Sequence, residues 1–132
     1  MKNIYDVTTG KEKNYECKDD LVVKDETLIV YLKEDLDHHN AEKIREKIDD
    51  VIEFENTRNI VFDFTNVSFM DSSGIGVIMG RYKKIYYMRG EIAVVGINSI
   101  IDKIFTMSGL YRIATKYDSI SEAIKDFEEC QN

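Results

Sequence analysis

From residue 28 onward, short β-branched runs alternate with stretches of helical period, and this alternation limits the possible folds more than any other feature. Leu28-Ile29-Val30-Tyr31-Leu32, Ile60-Val61-Phe62-Asp63-Phe64, residues 91–95 and residues 111–115 read as strands. Between the first two, Ala41, Ile44, Ile48, Val51 and Ile52 recur on one helical face, with Glu42, Lys43, Arg45, Glu46 and Lys47 elsewhere. Ile75, Ile78, Met79, Tyr82, Ile85 and Tyr86 keep the same period over a helix expected from about residue 73 to 88. A shorter helix is expected over 99–107. Ser119-Ile120-Ser121-Glu122 is a capping box that opens a last one, with Ala123, Ile124 and Phe127 inward. Residues 21–23 form a further strand, joined to 28–32 by the hairpin-like Lys24-Asp25-Glu26-Thr27. A chain ordered in this way folds as one α/β domain with a mainly parallel sheet, an added hairpin strand and about four helices, over residues 20–132.

The punctuation agrees with these elements. Asp37 or Asn40 is the expected cap of the first helix, and Ser99-Ile100-Ile101-Asp102 that of the third. Arg89-Gly90 ends the second helix, with glycine read as the residue after the last turn, and Ser108-Gly109 stops the third. Residues 1–19 are polar and aperiodic and read as a mobile tail, with one short extended piece around Tyr15-Glu16-Cys17.

In an open parallel sheet, sites collect in the loops at the carboxyl ends of the strands. Three loops qualify: the one carrying Asp37, the one carrying Asp71-Ser72-Ser73-Gly74, and the turn at Asn98. The second is chemically distinctive. The first turn of a helix has backbone N–H groups without internal partners, and Asp or Ser satisfies one of them. The same amides and the helix dipole favour negative charge there, by roughly 0.3–1 kcal/mol on a surface. A serine at this place is therefore either a cap or a group that can carry a phosphate. Gly74 and Gly76 leave the turn without bulk, open to the approach of another protein.

Other chemistries fit less well. His38 and His39 are the only histidines, and adjacent residues do not point at one site, so a metal centre is not expected. Ser72 lacks the Gly-x-Ser-x-Gly elbow of a serine hydrolase and has no base placed by sequence. The glycines complete neither nucleotide-binding fingerprint, so no cofactor is expected. A net charge of −7 argues against nucleic acid, whose affinity depends on cations meeting phosphates. No run is long enough to span a membrane, and the N-terminus has no signal-peptide core. Cys17 and Cys130, near opposite ends, suggest neither a disulfide framework nor a zinc site, which points to a reducing cytoplasm. Such a module is expected to bind and switch rather than catalyse.

Three stretches carry a resemblance. Asp35-Leu36-Asp37-His38-His39-Asn40-Ala41-Glu42, residues 67–83 around Met70-Asp71-Ser72-Ser73-Gly74, and Ile104-Phe105-Thr106-Met107-Ser108-Gly109-Leu110 are similar to the anti-sigma-factor antagonists of the STAS fold. The Leu-Asp-His-His and Gly-Arg-Tyr-Lys pieces resemble the sporulation, anti-sigma-F branch. The resemblance runs without gaps over about 22–127, and the N-terminal stretch is longer than in the family. It implies a non-enzymatic switch. The unphosphorylated antagonist binds an anti-sigma factor that is also a serine kinase, which frees the sigma factor. The kinase then phosphorylates the antagonist, and a PP2C-type serine phosphatase resets it. By position the phosphoacceptor is Ser72, with Ser73 as the neighbouring alternative. The resemblance also implies that Asp37 orients the kinase contact, that Asp71 fixes the loop, and that Ile75 and Ile104 present apolar contact to the partner. Read as residues alone, Ile75 and Ile104 are equally well core.

Overall fold

A computed structural model describes residues 4–6, 11–13 and 20–130. Its main sheet has five strands: β3 (Asp20–Lys24), β4 (Thr27–Tyr31), β5 (Asn59–Asp63), β6 (Ile92–Val95) and β7 (Ala114–Lys116), side by side in that order. β3 pairs antiparallel with β4 through the expected hairpin, and the other neighbours are parallel. A separate antiparallel pair, β1 (Ile4–Asp6) and β2 (Lys11–Lys13), lies within the stretch expected as a tail. The extended piece expected around Tyr15-Glu16-Cys17 falls outside the described residues.

Four helices complete the domain: α1 (Ala41–Phe54), α2 (Ser72–Tyr86), α3 (Ser99–Ser108) and α4 (Ile120–Cys130). From β4 to β7 the strand order advances in one direction. With right-handed crossovers, α1, α2 and α3 must then fall on the same face of the sheet. Burial agrees. Leu28, Val30, Ile60, Phe62, Ile92 and Val94 turn to a core shared with Ile44 and Ile48 of α1, Val77 and Ile78 of α2, and Ile101 and Phe105 of α3. The alternate residues Ile29, Val61, Ala93 and Val95 face the other way, against Ala123 and Phe127 of α4. Both faces are covered, so the central strands are continuous apolar runs rather than alternating ones.

Several boundaries differ from the sequence reading. The left-handed residue after α2 is Arg89, at φ 59°, not Gly90. Gly90 serves a different need: a Cβ there would lie 1.8 Å from the Arg58 carbonyl oxygen. The cap of α3 is Asn98, whose side chain accepts from the Ile101 amide at 2.9 Å, one residue before the expected Ser99. Asn40 occupies the cap position of α1 without a side-chain bond, and Asp37 instead accepts from the Asn40 amide at 3.1 Å. Residues 110–112 form a 3-10 turn rather than strand, because Gly109 is left-handed at φ 80° and Leu110 dives into the core. Gly109 as the stop of α3 and Ser119 as the cap of α4 are as read, the Ser119 hydroxyl accepting from the Glu122 amide at 3.1 Å.

Two contacts help hold the helices, one at the carboxyl edge and one farther along α1 and α2. Phe64, just past β5, meets Phe105 of α3 edge-on at 5.5 Å between ring centres, a geometry worth about 0.5–1.5 kcal/mol beyond area burial. Arg81 of α2 is buried and lies 2.9 Å from Asp49 of α1, an ionic contact without hydrogen-bond alignment. Burial draws the Arg81 guanidinium below its ordinary pKa, and the Asp49 carboxylate opposes that shift. No described helix is long and apolar enough to cross a membrane.

Candidate functional site

The three loops singled out by sequence meet at the carboxyl edge of the sheet, and backbone bonds hold them there. Leu36 makes a parallel bridge with Met70: its amide donates to Phe69 at 3.3 Å, and its carbonyl accepts from Asp71 at 3.4 Å. Asp35 reinforces the junction by accepting from the Ser68 and Phe69 amides at 2.8 and 3.2 Å. The Asn98 side-chain amide donates to the Val67 carbonyl at 2.9 Å. Asn98 thus caps α3 and ties it to the same loop. Asn98→Ala is expected to cost about 1 kcal/mol for the cap alone, and somewhat more because the Val67 bond goes with it. Urea unfolding checks this, and a change under 0.3 kcal/mol would show that Asn98 does neither job.

Asp71 is the cap of α2. One carboxylate oxygen accepts from the Ser73 amide at 2.8 Å, the other from the His38 amide across the junction at 3.0 Å. One side chain therefore closes the helix end and locks the Asp37 loop to it. Partial burial pushes the Asp71 carboxyl up, but the amides of His38, Ser73 and Gly74 and the Ser73 hydroxyl together outweigh it, leaving its pKa below the usual value. A depressed folded pKa means that this stabilisation is complete above the unfolded value near 3.9 and fades as the pH falls through the folded one. Asp71→Asn keeps a capping oxygen yet is expected to flatten the acid limb of the stability–pH curve. Chemical unfolding from pH 2 to 5 tests it, and an unchanged limb in the variant contradicts it. Asp71→Ala is expected to cost about 1 kcal/mol at neutral pH.

The two serines differ in their surroundings. Ser73 is half-buried, and both its amide and its hydroxyl engage Asp71. Ser72, the first residue of α2, is exposed, and its hydroxyl has no hydrogen-bond partner among the described residues. Because Asp71 already caps the helix, the Ser72 oxygen is left for other use. Gly74 does not clear the approach to it, contrary to the expectation. It is buried, and a Cβ there would lie 2.2 Å from the Leu36 carbonyl oxygen. Gly76 does leave open space, with nothing within 4 Å of a built Cβ.

Asp37 is half-buried and turned to its own loop, accepting from the His39 and Asn40 amides at 3.0 and 3.1 Å. Ile75 and Ile104 are each packed against the core and partly exposed. Around them α2 and α3 expose residues that the sequence reading did not assign to the site: Met79 on α2, which it had placed only in the apolar helical period, Ile100 and Met107 on α3, and Phe69 in the loop before Asp71. Their signal was present in the helical spacing, at Ser72, Gly76, Met79 and at Ile100, Ile104, Met107. Asp35 stands in a stretch that carries the resemblance, but its role had no local signal, because its bonds depend on how two distant loops register. Among the described residues, no group of three or more His, Cys, Asp or Glu could hold a metal ion. The arrangement is an exposed hydroxyl at a helix N-terminus, rimmed by apolar side chains. It can accept a phosphoryl group and meet a protein surface.

A model of the STAS domain matches residues 19–123. The anti-sigma F factor antagonist of Paenibacillus polymyxa is 42% identical over 101 residues, covering 76% of this chain and 86% of that protein. The anti-sigma F factor antagonist of Lysinibacillus sphaericus is 35% identical over 89 residues, covering 67% of this chain and 76% of that one. Among solved structures, the Bacillus cell fate determinant SpoIIAA in its phosphorylated form superposes with a TM-score of 0.66 at 33% identity, covering 83% of this chain and 98% of that one.

Proposed function

The chain belongs to the STAS domain family, and we propose that it is an anti-sigma-factor antagonist switched by phosphorylation of Ser72. In its unphosphorylated form it binds an anti-sigma factor that is also a serine kinase, and the sigma factor is released. The kinase transfers a phosphoryl group from ATP to the Ser72 hydroxyl, the complex dissociates, and a PP2C-type phosphatase restores the free hydroxyl. The pathway is the sporulation sigma-F type, in keeping with the relatives at 42% and 35% identity. The protein acts in the cytoplasm as ligand and substrate, not as an enzyme, and residues 1–19 stand outside the switching domain.

One observation carries this reading: the Ser72 oxygen is exposed and uncommitted while the neighbouring Ser73 is half-buried with its amide bound to Asp71. A kinase needs a hydroxyl that can enter its active site, and only the first of the two meets that need. The solved structure of a phosphorylated relative supports a fold that tolerates the modification. Docking runs across Ser72, Ile75 and Ile104, with Asp37 and Asp71 holding the loops in place.

The test is phosphosite mapping after incubation with the sigma-F anti-sigma kinase and ATP. A single phosphate on Ser72 is expected. Phosphate on Ser73 would shift the acceptor by one residue, and no phosphate from that kinase but transfer from a general-stress anti-sigma kinase would move the protein to another pathway. Turnover of an ester probe that is lost in Ser72→Ala would instead reveal a serine-dependent enzyme.

A further inference from the structure

A second surface lies at the other end of α2, and nothing in the switch uses it. Across residues 65–90 Asp71 is the sole acidic residue, against Arg81, Lys83, Lys84 and Arg89, in a chain of net charge −7. Arg81 and Lys84 share Asp49, at 2.9 and 3.3 Å. Lys83 and Arg89 have no ion-pair partner among the described residues, and both are exposed. Beside them three tyrosines form a chain of two ring contacts. Tyr82 and Tyr86 are 5.7 Å apart between ring centres, Tyr86 and Tyr87 5.8 Å and edge-on. Tyr86 is 59% and Tyr87 88% exposed. Tyr82, Lys83, Tyr86 and Tyr87 line a shallow groove open to solvent.

We propose that this tyrosine ladder, with Lys83 and Arg89, is a second docking surface for a short acidic protein segment that carries apolar side chains. The tyrosine faces supply contact area at small entropic cost, tyrosine and arginine are frequent anchors of interfaces, and Lys83 adds positive charge that favours an acidic partner. The charge selects the occupant. At physiological salt, fields fade over about 8 Å, so a short acidic segment meets only the local positive patch. A nucleic acid or an anionic bilayer extends past the patch and meets the predominantly acidic remainder of the chain.

The surface is independent of the Ser72 reading. The 15 residues of α2 span roughly 20 Å, more than twice the screening length. A phosphate at the N-terminus leaves the field at Tyr86 almost unchanged. A partner held here stays bound when the switch releases the other.

Amide NMR of the full chain, titrated with an octapeptide of alternating glutamate and leucine, tests the proposal. Saturable shifts confined to residues 82–89 are expected, weakening severalfold when salt is raised to about 0.5 M. Tyr86→Ser with Tyr87→Ser is expected to lower the affinity about tenfold, and Lys83→Glu by a similar factor. Ser72→Asp is expected to leave it within about twofold. All four side chains are exposed, so an unchanged thermal midpoint certifies each variant. If the double variant unfolds, Lys83→Glu alone decides. The proposal is overturned by no saturable shift at a few millimolar peptide or by shifts centred elsewhere. Self-association through the patch, seen by sedimentation of the free protein, also overturns it. So does preferential binding to vesicles of equal phosphatidylglycerol and phosphatidylcholine.

Discussion

Phosphorylated Ser72 is expected to bind the anti-sigma kinase roughly two to four decades more weakly than the free serine. The modification adds about −1.5 to −2 charges. On the proposed docking, the exposed Ser72 oxygen and the partly or fully exposed Ile75, Met79 and Ile104 would be covered by the partner. A dianion enclosed there without a cation costs on the order of 3–5 kcal/mol, which is that loss of affinity. In the free protein the same charge sits at a helix N-terminus, where the amides favour it by roughly 0.3–1 kcal/mol. The domain is therefore expected to stay folded while its docking is lost. Ser72→Ala keeps the shape and removes the acceptor, so it is expected to remain bound in the presence of ATP, and Ser72→Asp to bind poorly. Calorimetric titration of the three forms against the kinase measures this. A phosphorylated protein binding within threefold of the unmodified one, or one that unfolds, contradicts the account.

Gly74→Ala is expected to destabilise the domain by about 2–3 kcal/mol. The added methyl would sit 2.2 Å from the Leu36 carbonyl oxygen and 3.0 Å from the Leu36 Cγ. A backbone oxygen cannot rotate away, so α2 and the loop after β4 must separate. That movement strains the Asp71 amide bond to Leu36 and the His38 amide bond to Asp71. The site loses its shape along with its stability. Gly76→Ala is the internal control. It meets nothing within 4 Å, and in a helix interior alanine is expected to gain about 0.5–1 kcal/mol over glycine. Because position 76 is exposed one turn from Ser72, the same variant is expected to bind the kinase more weakly while folding more tightly. Urea unfolding and binding, measured on the same two variants, separate the two roles. A Gly74→Ala protein within 0.5 kcal/mol of the parent would show that the contact yields freely.

The local signals were readable because each is a short-range effect. The β-branched runs become β4, β5 and β6 within a residue of their expected limits. The apolar period of α1 is its buried face, and Ser119 and Gly109 punctuate helices as their chemistry requires. Where two neighbouring residues compete for one task, sequence reasoning chose less well. Asn98 and Ser99 can both cap, and Asn98 prevails because its amide also finds the Val67 carbonyl. Gly90 looked like a helix stop, but the approach of Arg58 is what requires it.

The same division holds at the site. Asp71-Ser72-Ser73-Gly74, placed between a buried strand and an amphipathic helix, already specifies a polar helix start at the carboxyl edge of a parallel sheet, since strand, cap and helix period are all encoded within a few residues. Why Gly74 is glycine depends on Leu36 meeting Met70, and the Asp37 loop is fixed by His38 donating to Asp71, contacts across more than thirty residues. The register of β4 on β5 pairs residues 32 apart, as in Leu28 with Ile60, while the loop bridge pairs residues 34 apart. No periodicity in a single chain encodes that two-residue offset. It emerges only when both segments are packed over a common core and every buried amide has to find a partner.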